Sequence, residues 1–136
     1  MIPVTLHLSD SPLTGIYDKW SRWRHGVPLK HVSVQAGDYV FDSSPRRGTY
    51  FAPAAPWVRT VKPYMSVQVA EVQAFDWHDY EDLCGLPVSP MRILIADIIN
   101  RPSQNCVTHS TRFLNRLGIN TPHARTPQDL CDWRLS

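Results

Sequence analysis

Apolar and polar residues alternate over positions 2–8, IPVTLHL, which predicts a short strand, and Ser9-Asp10-Ser11-Pro12 punctuates its end. Over 14–24 the period changes. Ile16, Trp20 and Trp23 share one face of a predicted helix that Gly26 closes and Pro28 keeps from resuming. The runs HVSVQ at 31–35 and YVFDS at 39–43 alternate on either side of Ala36-Gly37-Asp38, the clearest hairpin signal in the chain. More strand is expected over 57–61 and 66–74. The stretch between, 44–56, holds Pro45, Pro53, Pro56 and Arg46-Arg47-Gly48 without periodicity, and reads as a surface loop.

From residue 77 the pattern turns helical. A short helix is expected at 77–84. Ser89-Pro90, a cap followed by proline at the first helical position, opens a longer one through Met91, Ile93, Leu94, Ile98 and Ile99. After Arg101-Pro102 a third helix runs from Cys106 to Leu117 and stops at Gly118. The remaining tail reads as turns and one last helical turn. With no repeat or linker, the 136 residues are expected to form one domain, 1–136, of α+β class.

Composition narrows the function classes. A hydrophobic fraction of 43% with no long apolar run argues for a globular chain with no transmembrane segment. The net charge is only +2; the one basic cluster, Lys19, Arg22, Arg24 and His25 around Trp20 and Trp23, reads as the wet face of a helix, so no nucleic-acid partner is expected. Cys84, Cys106 and Cys131 are odd in number and widely spaced, which fits a reducing compartment better than a disulfide framework. The N-terminal residues lack a signal-peptide pattern, so the protein is expected to be cytoplasmic as synthesised, or to leave by another route.

The third helix carries the candidate chemistry. Cys106 falls in its first turn, where unpaired N–H groups and the helix dipole favour a thiolate. The plainer reading is a small core residue, since Ser110, Phe113, Leu114 and Leu117 continue the same stripe. The hairpin shifts the balance. A two-residue turn at Gly37-Asp38 pairs Ser33 with Asp42 and His31 with Ser44, puts all four on one face, and makes His31 and Asp42 diagonal neighbours. Cysteine, histidine and carboxylate are then a nucleophile, a base and its orienter. A zinc site from Cys106 and His109 is the rival, but the remaining candidates, Cys84, His123 and Cys131, lie singly and far apart, so no metal is expected. His109 is expected to be an exposed helix residue or a polar group at the mouth of the cleft. His7, His25 and His78 are expected at the surface or at helix ends, and most of the five tryptophans in the core or at its edge.

Three segments, WSRWRHGVPLKHVSV (20–34), YVFDS (39–43) and NCVTHSTRFLNRLG (105–118), resemble the circularly permuted NlpC-type papain-like cysteine hydrolases, the group that includes the lecithin:retinol acyltransferase-like enzymes. The trailing TPQDL at 126–130 is similar to the closing segment of many members. The sequence departs from the group at Val107-Thr108-His109, where members often carry Ser or Glu, and at Asp42, where they carry Glu or a second His. The resemblance implies an antiparallel sheet packed against the nucleophile helix, with Cys106, His31 and Asp42 catalytic and no cofactor. The Cys106 N–H and the Gln104 side chain are the expected oxyanion donors. It also implies cleavage of an amide through an acyl-enzyme, with a peptide or peptidoglycan substrate and a bacterial or bacteriophage origin. Virion or tail proteins enter as partners if the domain is delivered outside the cell. The alternatives are a non-catalytic component of a phage tail or secretion apparatus, and an acyltransferase or deconjugating thiol protease.

Overall fold

The computed structural model describes residues 1–10, 19–20, 22–23, 30–88, 105–121 and 130. Five antiparallel strands form one sheet: β1 (Ile2–Asp10), β2 (Lys30–Ala36), β3 (Tyr39–Ser44), β4 (Gly48–Pro53) and β5 (Met65–Val72). Their order is β4-β3-β2-β1-β5, so the first strand lies inside the sheet between β2 and β5. Helix α1 (Ala54–Val61), a 3-10 helix (Trp77–Leu83) and helix α2 (Cys106–Arg116) complete the described elements. The longer helix expected from Ser89 and the tail beyond residue 121 lie outside the described residues except for Leu130, which is fully buried. Of the helix expected at 14–24, Lys19, Trp20, Arg22 and Trp23 are described, and all four are helical.

Strand alternation sorts the side chains onto two faces. Val4, Leu6 and Leu8 of β1, Val32 and Val34 of β2, and Phe41 of β3 face α2, and they close over Val107, Phe113 and Leu114. The opposite face is polar along β1 and β2 and is covered at its β3–β4 side by α1, where Val40 packs with Ala54 and Trp57. Because α1 and α2 cover opposite faces at β3, its four central residues are all buried.

Two expectations fail between residues 44 and 61. The stretch read as a surface loop contains β4, paired with β3 from Tyr39↔Pro53 to Ser44↔Gly48, and the stretch read as a strand at 57–61 is helical. The reasons are local. β4 carries no clean alternation because its first two residues, Gly48 and Thr49, are both buried, and its proline sits at its end, on an edge strand where no ladder bond is lost. Pro53 caps α1 and Pro56 lies in its first turn, where backbone N–H groups have no intrahelical acceptor to lose. Ala54 and Trp57 then supply a buried face at helical spacing.

Gly48 makes the β3–β4 turn possible. Its φ is +72°, and a Cβ there would stand 2.5 Å from the Leu86 carbonyl oxygen. That approach lets Thr49 N–H donate to Leu86 O at 3.0 Å and Gly85 N–H to Thr49 O at 2.7 Å, anchoring the chain after the 3-10 helix to β4.

Candidate active site

The hairpin between β2 and β3 turns at Gly37-Asp38, with Ala36 opposite Tyr39, Gln35 opposite Val40 and Val34 opposite Phe41. Continued, that register sets Ser33 across from Asp42, and side-chain bonds replace the ladder there. Ser33 Oγ donates to Asp42 Oδ1 at 2.8 Å, and His31 Nε2 lies 2.5 Å from the same oxygen. Ser44 is not part of this group: it pairs with Gly48 and accepts from Arg47 N–H at 3.1 Å.

Beyond Val34 the β2 backbone meets the N-terminus of α2. Cys106 is the first residue of that helix, and Asn105 caps it, accepting from Val107 N–H at 2.9 Å and from Thr108 N–H at 3.0 Å. Thr108 Oγ1 accepts in return from Asn105 N–H at 2.8 Å, completing a capping box. The cap thus satisfies the second and third helical N–H groups. The Cys106 sulfur lies beside the His31 imidazole and the Val32 N–H, close enough for each to act on its ionisation. Since His31 Nε2 is on Asp42, Nδ1 is the nitrogen left for sulfur. Cysteine, histidine and aspartate therefore form one connected group, built from two adjacent strands and a helix start that are far apart in sequence.

Asp42 is the most heavily bonded side chain of this group. Oδ1 takes His31, Ser33 and the Ser43 N–H at 2.8 Å; Oδ2 takes the Tyr50 hydroxyl at 3.0 Å and the Trp57 indole N–H at 2.9 Å. Burial alone would push its carboxyl up, but the bonds and the His31 charge outweigh that and hold it at about 2. Burial likewise resists charge on the other two members. The thiolate and the Asp42 bond nonetheless raise His31 above its ordinary value, while the His31 charge and the Val32 N–H lower the Cys106 thiol. The two shifts describe one coupled proton shared between sulfur and imidazole. Cys84 shows the contrast: it is half-buried, no imidazole among the described residues acts on it, and burial pushes its thiol up.

Tyr50 and Trp57 are the members that sequence reasoning missed. Both lie in the segment misread as loop and strand, so nothing indicated that they face Asp42. Two histidines also depart from expectation. His7 is buried on the polar face, its Nδ1 2.7 Å from Ser66 Oγ and its Nε2 2.7 Å from Gln35 Oε1, because the Trp57 ring lies against it, 5.3 Å between centroids. His109 is only 1% exposed, with Nε2 3.2 Å from the Pro87 carbonyl, because it lies on the side of α2 turned toward the 84–88 segment. His78 is exposed at the 3-10 helix, beside Glu81. Ser9, opposite His31 in the β1–β2 register, is buried with its hydroxyl unpartnered. Gln104 and Cys131 lie outside the described residues.

Among the described residues no three His, Cys, Asp or Glu side chains converge as a metal site, and no helix is long and apolar enough to cross a membrane. Comparison with family models, with curated proteins and with solved structures returns no match for this chain.

Proposed function

We propose that the chain is a cysteine hydrolase of the circularly permuted papain-like type, acting on an amide bond through an acyl-enzyme. The observation that carries the reading is the Cys106–His31–Asp42 group, with the thiol at a capped helix N-terminus and the imidazole fixed by an ionised carboxylate.

In the resting site the proton sits on His31 and the charge on sulfur. The thiolate attacks the carbonyl carbon, forming a C–S bond and a tetrahedral oxyanion. The Cys106 N–H is one donor to that oxygen and the Gln104 side chain the second. As the oxyanion collapses the C–N bond breaks, and His31 Nδ1 gives its proton to the leaving amine. A water then enters, His31 takes one of its protons, and the hydroxide displaces sulfur to release the acid. Asp42 keeps its negative charge throughout, stabilises the imidazolium and fixes its tautomer.

The substrate proposed is a peptidoglycan stem peptide, in a bacterial or bacteriophage protein, following the resemblance of the 20–34, 39–43 and 105–118 segments. Incubation with purified muropeptides, an acyl-lipid and a ubiquitin-like conjugate, with products read by mass spectrometry, tests this. Cleaved stem peptides and a covalent adduct on Cys106 are expected, both absent in Cys106→Ala. Turnover of the lipid or the conjugate alone would reassign the substrate, and no turnover or adduct with any of the three would overturn the enzymatic reading.

A further inference from the structure

Asp42 is held on two sides by different parts of the fold. The donors to Oδ1, His31, Ser33 and Ser43 N–H, come from the hairpin that carries the site. The donors to Oδ2, Tyr50 and Trp57, come from β4 and α1. The difference matters because the terminal torsion of an aspartate is broad, so bonds to one oxygen leave the plane of the carboxylate free to turn.

Trp57 is suited to stop that turning. An indole N–H has one direction, set by two torsions, and cannot rotate away as a hydroxyl can. Both torsions are fixed by packing, since the ring lies against Val40 and Ala54 and meets the His7 ring at 5.3 Å between centroids. His7 is in turn clamped between Ser66 and Gln35, whose amide nitrogen donates to Gly37 O at 2.8 Å. Tyr50 is steadied by the Arg47 guanidinium, 3.8 Å above its ring. Its phenol, raised to about 12 by burial and by Asp42, keeps its proton and so stays a donor.

We propose that Trp57 is a positioning residue of this site: by holding Oδ2 it sets the carboxylate plane, and through Oδ1 the angle at which His31 meets Cys106. Tyr50 has the same role with a more mobile donor. The inference rests on the reading of Cys106 and His31 as a thiolate–imidazolium pair. Both donate to Asp42 and neither is among the groups acting on His31 or Cys106, so each acts through Asp42.

The test needs no substrate. In the full-length protein, alkylation of Cys106 by iodoacetamide is followed against pH by mass spectrometry of the Cys106 peptide. A thiolate–imidazolium pair gives a lower limb below the usual thiol range and an upper limb where the imidazolium is lost. In Trp57→Phe the carboxylate turns away from the imidazolium, so the interval between the limbs should narrow, the lower limb rising by up to about one unit. Asp42→Ala should narrow it too, and Trp57→Phe added to Asp42→Ala should move it no further. If Trp57→Phe does not fold, Tyr50→Phe carries the test, with a shift in the same direction. An unchanged or wider interval in the folded variant would overturn the inference. So would an equal shift in the Asp42→Ala background, which would mark a general packing role. If wild-type Cys106 instead alkylates with the profile of an ordinary free thiol, it is the pair itself that fails, and that result is read before any variant.

Discussion

Replacing Asp42 by asparagine keeps the shape of the side chain but not its capacity to accept. The five donors around Asp42 are arranged for two acceptor oxygens. An amide has one oxygen and one NH2. With the NH2 at the Oδ2 position, Tyr50 can rotate its hydroxyl, but the Trp57 N–H is left facing a donor. With the NH2 at the Oδ1 position, the Ser43 N–H is orphaned and His31 must accept through Nε2, which puts its proton on Nδ1 and removes the acceptor that the thiol needs. Either way one buried donor goes unpaired, at a cost of about 1–3 kcal/mol. The lost charge has its own signature. The Asp42 carboxyl stands at about 2 in the fold against an ordinary value of 3.8, and that difference corresponds to about 2 kcal/mol of stability. Its folded value is depressed, so this contribution is fully present above pH 4 or so and is lost as pH falls toward the folded value. The measurement is urea unfolding of Asp42→Asn and its parent from pH 6 to 2, both in a Cys106→Ala background so that the Cys106 thiol does not titrate. The variant should be the less stable by several kcal/mol at pH 6, and the gap should narrow toward pH 2, by less than the full value of about 2 kcal/mol because the buried His31 of the variant, without its carboxylate, must itself take up a proton on the way down. A gap that does not change with pH would mean that Asp42 is not held ionised by its neighbours. A variant as stable as its parent at pH 6 would refute the bonding geometry itself.

Three further outcomes follow from the same structure. Cys106→Ala should abolish turnover with little change in unfolding midpoint, while Cys84→Ala and Cys131→Ala keep it; His31→Ala should cost about as much, and the double variant no more than either alone, because the two act as a unit. Additive losses in kcat/KM would assign His31 to binding instead. Gly48→Ala forces a Cβ into the positive-φ region and against Leu86 O, so it should destabilise by at least about 2 kcal/mol in thermal or urea unfolding. Asn105→Ala removes the cap acceptor of Val107 and Thr108, and should cost about 1 kcal/mol of stability and slow Cys106 alkylation near neutral pH as the helix start loosens.

The parts of the site that the sequence made legible are those set by short-range rules. Gly37-Asp38 between two alternating runs defines a two-residue turn, and with period two that turn is enough to place His31, Ser33 and Asp42 on one face. An asparagine before an amphipathic run marks a helix start, which is enough to put Cys106 in the first turn. What no local rule contains is the place of β1 between β2 and β5, or the approach of the Cys106 helix to the open end of the hairpin. Those depend on which apolar faces bury one another. His7 and His109 illustrate the same limit, because residue type alone suggests the surface or a helix end for the first and exposure or a cleft mouth for the second, whereas each is buried by what packs over it.

The misreading of residues 44–61 has a sharper cause, and it bears on the chemistry. Prolines at 53 and 56 look like breakers when counted along the chain, yet they occupy the cap and first turn of α1, where a proline costs nothing in hydrogen bonds. Tyr50 and Trp57 flank those prolines, one on the last strand of the hairpin system and one on the helix folded back across it. A tight strand-to-helix joint is therefore what brings an indole N–H to 2.9 Å from Asp42 and a phenol to 3.0 Å. The same joint hides both residues from a reading that looks for periodicity. Cys106, His31 and Asp42 come from segments with strong local signals, whereas the side chains that donate to Asp42 Oδ2 come from a segment defined only by tertiary packing. Substitutions at Tyr50 and Trp57 should accordingly reach the Cys106 thiol through Asp42.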